Sequence, residues 1–190
     1  MLIGNYSLYE LFLQFLFWGI AGWLVEVIDM RIEAGEFQNR GFLHVPLCPL
    51  YGLGMPALCI LLGDAKKSYL AIFIGGIVFC TAVEYLIGLL LEKLFNARWW
   101  DYSHMRFNFQ GRICLRNEIL FGFGALISLG FVQPVLEGTI HRIPTPMGTT
   151  LITVTALVLV VDIAASIFRA LRYRREHHGG EAFVIFKSHR

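Results

Sequence analysis

The sequence contains little charge. Only 16% of its 190 residues are charged, compared with about a quarter in a typical soluble domain, whereas 56% are hydrophobic and the mean hydropathy is +0.61. The formal net charge of +2 is also too small for a nucleic-acid-binding surface. These shortages exclude an ordinary soluble domain and a nucleic-acid partner. They predict a multi-pass protein of the cell membrane that contacts membrane lipid.

Motifs with catalytic or metal-binding chemistry are lacking as well. The sequence has no G-x-x-x-x-G-K phosphate loop, so it carries no ATPase site of its own. Its cysteines form no C-x-x-C pair, and no Ser–His–Asp or Cys–His arrangement can be argued from the sequence. We therefore expect no enzymatic activity, no metal and no cofactor. The N-terminus lacks the features of a signal peptide, so we expect the first apolar run to be retained as a helix.

Five apolar segments are each close to the ~20 residues that a helix needs to cross ~30 Å of hydrocarbon. They cover about residues 8–28, 46–63, 69–91, 118–136 and 149–171. This pattern predicts an all-α integral membrane protein. Residues 1–175 would form a single transmembrane domain, and residues 176–190 a cytoplasmic tail.

The second segment is broken by proline and glycine, so it is either a kinked span or a re-entrant hairpin. With five crossings and the N-terminus outside, 13 of the 16 basic residues lie on the inner side, whereas a re-entrant second segment leaves 11 there. Basic loops favour the cytoplasmic side of a membrane. The count therefore favours five transmembrane helices with the N-terminus out and the C-terminus in.

The sequence also matches itself at a shift of 70 residues, which aligns 41–54 with 111–124. Gly41, Leu50, Gly52 and Gly54 then meet Gly111, Leu120, Gly122 and Gly124. With a different loop length, Glu26 in the first span meets Glu84 in the third. Helices one and two would then be a parallel repeat of helices three and four. The alternative is that glycine recurs because small residues let membrane helices pack closely.

Acidic residues inside predicted spans are the most informative ones. A charge at the bilayer centre costs on the order of 3 kcal/mol, so Glu26 and Glu84 should face the interior, a cavity or a partner. Arg40 and Arg112 precede spans two and four, and their long side chains can reach upward, which predicts the pairs Glu26–Arg40 and Glu84–Arg112. The pairs either hold the bundle together or line an inward-facing pocket. There the two arginines and the helix N-termini would bind an anionic solute or a lipid headgroup.

Two further features carry polar chemistry. Asp162, in the last span, is expected to form hydrogen bonds inside the bundle alongside Thr153, Thr155 and Ser166. The loop 92–117 contains Trp99, Trp100 and Tyr102, which suit the headgroup layer on the inner surface. In this loop Asp101 either caps a short interfacial helix with Ser103 or has a catalytic role.

Five ordered motifs give the chain a family resemblance. They are G-W-L-V-E (22–26), N-R-G-F-L (39–43), P-L-C-P-L-Y-G-L-G (46–54), L-E-K-L-F-N-A-R-W-W-D-Y-S (91–103) and N-F-Q-G-R-I-C-L (108–115). Together they resemble the CmpB-type family of ABC-transporter permeases, over about residues 15–130. The stretch from Glu84 to Ser103 is also similar to a eukaryotic family of small multi-pass membrane proteins without assigned function.

The resemblance implies a transport role but assigns no substrate. It marks as matching positions Glu26, Asn39, Arg40, Pro49, Glu84, Trp100, Asp101, Asn108, Gly111 and Arg112. The chain departs from the family pattern in two places. His44, Val45 and Pro46 stand where Gly-Pro is expected, and residues 116–118, R-N-E, are more polar than usual. The last span and the tail lie outside the resemblance.

Three functions are compatible with these observations. The first is a permease subunit that binds its passenger at Glu26, Arg40, Glu84, Asp101, Asn108 and Arg112, forms a homo-oligomer and works with a separate cytoplasmic ATPase. The second is a lipid-headgroup-modifying enzyme or binding protein, in which the arginines hold phosphate and Glu84 or Asp101 acts as a base. The third is a structural membrane assembly factor whose charges only pair.

Overall fold

The computed structural model describes residues 2–34, 42–63, 68–176 and 183–184, and most of these residues are helical. The helices are α1 (Leu8–Ala34), α2 (Pro49–Leu62), α3 (Tyr69–Phe95), α4 (Leu115–Ile127), α5 (Gln133–Ile140) and α6 (Thr145–Glu176), and a π-helical turn, Ser128–Val132, joins α4 to α5. Two pairs of short strands are antiparallel: β1 (Leu2–Ile3) with β2 (Tyr6–Ser7), and β4 (Asn108–Phe109) with β5 (Ile113–Cys114). A third pair, β3 (Ala97–Arg98) with β6 (Phe183–Val184), is parallel. Of the predicted tail, only Glu176 and β6 belong to the described residues.

Among the described residues, four helices are long and apolar enough to cross a membrane. They cover Leu8–Asp29, Tyr69–Phe95, Leu115–Ile140 and Thr145–Arg172. The second predicted segment contains the shorter helix α2, whose 14 residues rise by about 21 Å at 1.5 Å per residue. That length falls short of the ~30 Å hydrocarbon layer. The helical multi-pass architecture is therefore confirmed, whereas a crossing by the second segment stays a prediction.

Helix α2 runs antiparallel to α1. Near its start, Tyr51 packs against Gly22, and near its end Ile60 packs against Gly4, which precedes α1. Pro49 occupies the first position of α2, where its missing N–H leaves no hydrogen bond unmade. The helix is thus preceded by a non-helical stretch, 42–48, which packs beside α1 and α6.

The two helical hairpins α1–α2 and α3–α4 pack in the same way through glycine. A Cβ atom on Gly52 would lie 2.8 Å from the Phe15 ring, and a Cβ atom on Gly122 would lie 2.8 Å from the Phe73 ring. Gly52 and Gly122 are matched by the proposed repeat, and Phe15 and Phe73 have the same spacing to Glu26 and Glu84. This equivalence supports the parallel repeat, because close packing alone would not choose corresponding partners.

Asp162 of α6 holds the non-helical stretch in place. Its Oδ2 accepts hydrogen bonds from the backbone N–H groups of His44 and Val45 at 2.9 and 3.0 Å, and its Oδ1 lies 2.7 Å from Nδ1 of His44. Ser166 joins this group at 3.1 Å from the same ring nitrogen. The expected hydrogen-bonding role of Asp162 is therefore confirmed, with the backbone as its main partner.

The predicted participation of Thr153 and Thr155 is wrong. Their hydroxyls donate to the carbonyls of Thr149 and Leu151 in the preceding turn of the same helix. Helical threonine commonly forms this bond, because it satisfies the hydroxyl without a partner from another helix.

The packing of α3 against α4 yields a first prediction. A Cβ atom on Gly76 would lie 2.5 Å from that of Ala125, so Gly76→Ala should cost roughly 1–3 kcal/mol through overpacking. Gly124→Ala is the matched control, since outside its own stretch of helix no heavy atom of the described residues lies within 4 Å of its added Cβ. The melting temperatures of both variants are measured by thermal unfolding in detergent micelles. Equal melting temperatures for the two would contradict the close helix contact.

Candidate functional site

Two carboxyl groups meet between α3 and α4. Glu84 is 7% exposed and Glu118 is 5% exposed, and each lies within hydrogen-bonding reach of the other. One oxygen of each has a donor: Glu84 Oε1 accepts from the Tyr102 hydroxyl at 3.1 Å, and Glu118 Oε2 accepts from the Thr81 hydroxyl at 2.8 Å. The remaining oxygens, Glu84 Oε2 and Glu118 Oε1, are buried, and no N–H or O–H group of the described residues donates to them.

A third carboxyl group lies next to this pair. Glu26 of α1 accepts a hydrogen bond from the Tyr51 hydroxyl at 2.9 Å. Tyr102 lies close enough to interact with both Glu26 and Glu84. We call Glu26, Tyr51, Glu84, Tyr102 and Glu118 the carboxyl cluster. It brings side chains from α1, α2, α3, α4 and the loop after α3 to one place.

Tyr102 is a donor in this cluster. Burial, together with the nearby Glu84 and Glu26 carboxylates, raises the pKa of its hydroxyl well above the ordinary value. The hydroxyl therefore keeps its proton at physiological pH and offers it to Glu84.

The pair predicted between Glu84 and Arg112 does not form. Arg112 Nη2 donates to Glu92 Oε2 at 2.6 Å, and its Nη1 donates to Gln110 at 2.6 Å. Glu84, Gly88 and Glu92 are spaced four residues apart on one face of α3, and the Arg112 stem passes Gly88 on its way to Glu92. The guanidinium is thereby aimed two helical turns away from Glu84. Arg40, the predicted partner of Glu26, lies outside the described residues.

The loop 96–114 folds into a cap at this end of the bundle. Trp100 Nε1 donates to the Arg112 carbonyl at 2.7 Å, and Arg98 donates to Glu92 at 3.2 Å. Gly111 adopts a φ of +69°, and a Cβ atom there would lie 2.4 Å from the Ser103 hydroxyl. Only glycine fits this position without strain. The cap loop thus joins Glu92 near the end of α3 to the start of α4.

Asp101 and Asn108 organise the cap loop from within. Asp101 accepts hydrogen bonds from the amide and hydroxyl of Ser103 at 2.9 and 2.6 Å, and Asn108 donates to the Met105 carbonyl at 2.7 Å. Burial by itself would raise the pKa of Asp101, but the Ser103 bonds and the Arg98 guanidinium outweigh it and lower that pKa. Both side chains are engaged in turns, and their predicted contact with a passenger stays a prediction.

His44, Asp162 and Ser166 do not have the geometry of a catalytic triad. The Ser166 hydroxyl and the Asp162 carboxylate both lie on the same nitrogen, Nδ1. A triad needs the hydroxyl on Nε2 and the carboxylate on Nδ1, so that the ring passes a proton between them. This group anchors the backbone and does not activate Ser166 in the arrangement seen.

A second polar group, at the other end of the bundle, escaped the sequence analysis. Gln133 Oε1 accepts from the Trp18 indole at 2.9 Å, and Gln133 Nε2 donates to Gln14 at 3.0 Å and to Glu137 at 2.9 Å. We call Gln14, Trp18, Gln133 and Glu137 the glutamine cluster. The sequence does signal this group, because Gln14 and Gln133 lie inside apolar runs. The sequence analysis considered only charged residues there and therefore missed both glutamines.

Comparison with known proteins places the chain in a family. The family described as "Putative ABC-transporter type IV" (ABC_trans_CmpB) matches residues 13–167. The chain belongs to this family. No curated protein and no solved structure matches the sequence.

The family match extends further than the motifs suggested. The resemblance was expected to end near residue 130, yet the match includes most of α6, with Asp162 and Ser166. In the CmpB-type fold of this chain, α6 is therefore part of the shared unit, which agrees with its anchoring role. Within the matched region, both departures from the family pattern contribute to polar groups: His44 contacts Asp162, and Glu118 contacts Glu84.

The pairing of Arg112 gives a second prediction. Glu92→Arg or Arg112→Glu alone puts like charges together in a partly buried place, and each should cost roughly 2–4 kcal/mol of stability. The double variant should recover part of this loss, since the pair is restored while Arg98 meets an added positive charge. Glu84→Arg, in contrast, should gain nothing from Arg112→Glu. The melting temperatures of these variants in detergent micelles test the pairing. Rescue of Glu84→Arg by Arg112→Glu would contradict the observed pair of Arg112 with Glu92.

Proposed function

We propose that this chain is the membrane subunit of a transporter and that the carboxyl cluster handles a cationic passenger, either a proton or a small cation. The main support for this proposal is the contact between Glu84 and Glu118. Both carboxyl groups are buried, and no described residue donates a hydrogen bond to one oxygen of each. Two carboxylates in contact repel each other strongly when both are ionised. A proton shared between them, or a bound cation, removes that repulsion.

The energetics of the membrane favour this reading. A single charge at the bilayer centre already costs on the order of 3 kcal/mol, and intramembrane acidic residues commonly mark proton or ion pathways. Arg112 does not neutralise the pair, because its charge is matched by Glu92. Among the described residues no basic side chain pairs with Glu84 or Glu118, which suits the uptake and release of positive charge at this pair.

An anionic solute or a lipid headgroup, the passenger expected from Arg40 and Arg112, would have to displace Glu92 from Arg112. The same displacement is needed for a lipid-headgroup enzyme that holds phosphate with these arginines. An altered lipid composition in membranes carrying Arg112→Ala or Glu84→Gln would favour that alternative.

The proposed assembly has five crossings, with the N-terminus outside and the cap loop on the cytoplasmic side. A separate ATPase would bind the cap loop, since the chain lacks a phosphate loop of its own. Self-association is part of the proposal because exposed large apolar residues such as Val161 and Phe168, at 70% and 71%, run along α6. These residues can contact lipid or a second copy.

The shared proton leads to a third prediction, tested by infrared difference spectroscopy of the full chain in nanodiscs over a pH series. The wild type should show a protonated carboxyl band at neutral pH. Glu84→Gln and Glu118→Gln should each weaken the band at neutral pH and shift its loss to lower pH, because the repulsion from the acidic neighbour is gone although the remaining carboxyl group stays buried. Glu137→Gln, in the other polar cluster, is the control and should leave the band unchanged. A band with an unchanged pH dependence in both variants would contradict the proposal.

The ATPase partner gives a fourth prediction. A photo-crosslinking residue at Phe109, which is 55% exposed in the cap loop, should capture a protein with a phosphate loop from native membranes. The same residue at Thr139, exposed at the opposite end, is the matched control and should capture none. Equal capture at both positions, or capture at Thr139 alone, would contradict cap-loop docking.

A further inference from the structure

A cavity of about 260 Å³ opens at the end of the bundle where α1 begins. It is lined by Asn5, Tyr6, Glu10, Gln14, Glu137, Ile140 and His141. Glu10 and Glu26 are 16 residues apart on α1, so the cavity lies about 24 Å along the helix axis from the carboxyl cluster. It is a separate site at the opposite end of the molecule.

The hydrogen-bond network behind this cavity fixes the orientation of both glutamine amides. The Trp18 indole can only donate, so the oxygen of Gln133 must face it, and the Gln133 nitrogen must face Gln14 and Glu137. Gln14 therefore presents its oxygen to Gln133. Its nitrogen, Nε2, is left as a buried donor without an acceptor in the part of the chain that the structure describes.

An orphan donor of this kind indicates a missing acceptor. Gln14 is fully buried at 0% exposure, and an unmade hydrogen bond there costs about 1–3 kcal/mol. Gln14 also lines the cavity, but solvent does not reach its Nε2, so the amide must turn towards the cavity before an oxygen atom of a bound molecule can supply the acceptor.

The charges around the cavity are mainly negative. Glu137 accepts hydrogen bonds from Tyr6 at 2.5 Å and from Gln133, both of them on Oε1. Glu10 is held by Ser7 and lies 2.8 Å from His141. Of the described residues that line the cavity, His141 alone can carry a positive charge, and it does so only when it is protonated. Two carboxylates thus face one titratable cation, which favours a positively charged occupant.

A metal ion is a poor candidate for that occupant. Among the described residues, no group of three or more His, Cys, Asp or Glu side chains has an arrangement that could hold one. The volume is slightly below the usual range of about 300–1,000 Å³ for drug-sized ligands, so it suits a small organic molecule. The π-helical turn Ser128–Val132 immediately precedes Gln133, and such turns are frequent at functional sites.

We propose that this cavity binds a small organic amine that also carries a neutral oxygen, as an amino alcohol does. Its ammonium group pairs with the Glu137 and Glu10 carboxylates, and its oxygen accepts the hydrogen bond from Gln14 Nε2. The proposal does not depend on transport, since it concerns binding alone.

Calorimetric titration of the full chain in nanodiscs tests this inference with ethanolamine, ethylamine and ethylene glycol, and with calcium chloride as the metal control. Ethanolamine should bind measurably. Ethylamine, which lacks the oxygen, and ethylene glycol, which lacks the charge, should each bind roughly tenfold more weakly or worse. Glu137→Gln keeps an acceptor for Tyr6 and Gln133 but removes the charge, so it should weaken ethanolamine binding by roughly tenfold. Glu92→Gln, at the cap end, is the control and should bind like the wild type.

Gln14→Leu separates the two halves of the recognition. In this variant ethanolamine and ethylamine should bind equally, because the donor that distinguishes them is gone. If the variant does not fold, the proposal is still tested by the wild-type comparison of the three ligands and by the Glu137→Gln result. Equal binding of ethylene glycol and ethanolamine, no binding of any amine, or binding of calcium chloride in place of the amines would each overturn the proposal.

Discussion

A polar group inside hydrocarbon must find its partner within the protein, and this constraint shapes the whole molecule. No water is present there to compensate an unmade hydrogen bond. The non-helical stretch before α2 exposes backbone N–H groups beside α6, and the Asp162 carboxylate accepts two of them. Without that carboxylate, a broken second segment would be costly. The same rule explains why the threonines of α6 bond to their own helix.

Where the rule is not satisfied, the exceptions fall in two places. Among the described residues, unpartnered buried side-chain atoms occur on Glu84, Glu118 and Arg112 at one end and on Tyr9 and Gln14 at the other. Several helices meet at each group, and the carboxyl and glutamine clusters there each contain more acidic than basic side chains. In the proposed transport of a positive charge, these two groups would lie near the two ends of the path.

The cap loop connects the first of these sites to the surface. Tyr102 reaches from this loop to Glu84, while Arg112 at the other end of the loop is tied to Glu92 and to Trp100 through its backbone. Asp101, Asn108 and Gly111 keep the intervening turns in shape. A partner that moved the cap loop would therefore also move the hydroxyl that faces the carboxyl pair. This mechanical link depends on the proposed binding of an ATPase to the cap loop.

Much of the architecture was predictable from the sequence, because membrane helices are determined by local composition. Apolar length located α1, α3, the helix from α4 to α5, and α6 within a few residues, and the glycine pattern anticipated how the two hairpins pack. The cost of a buried charge correctly marked Glu84 and Asp162 as interior residues, whereas Glu26 is half-buried. Each of these inferences depends only on neighbouring residues and on the bilayer as solvent.

The choice of partners was decided by the tertiary structure alone. Arg112 follows one face of α3 to Glu92, so that Glu84 meets Glu118 and Tyr102 instead, and the π-helical turn before Gln133 could not be read from a hydrophobic pattern. Sequence spacing tells which side chains share a helix face, but a contact between helices depends on their depth and rotation. Those are set by the packing of all the helices together. The sequence by itself therefore determined that this is a membrane protein with buried acidic residues, and only the fold decided what those residues contact.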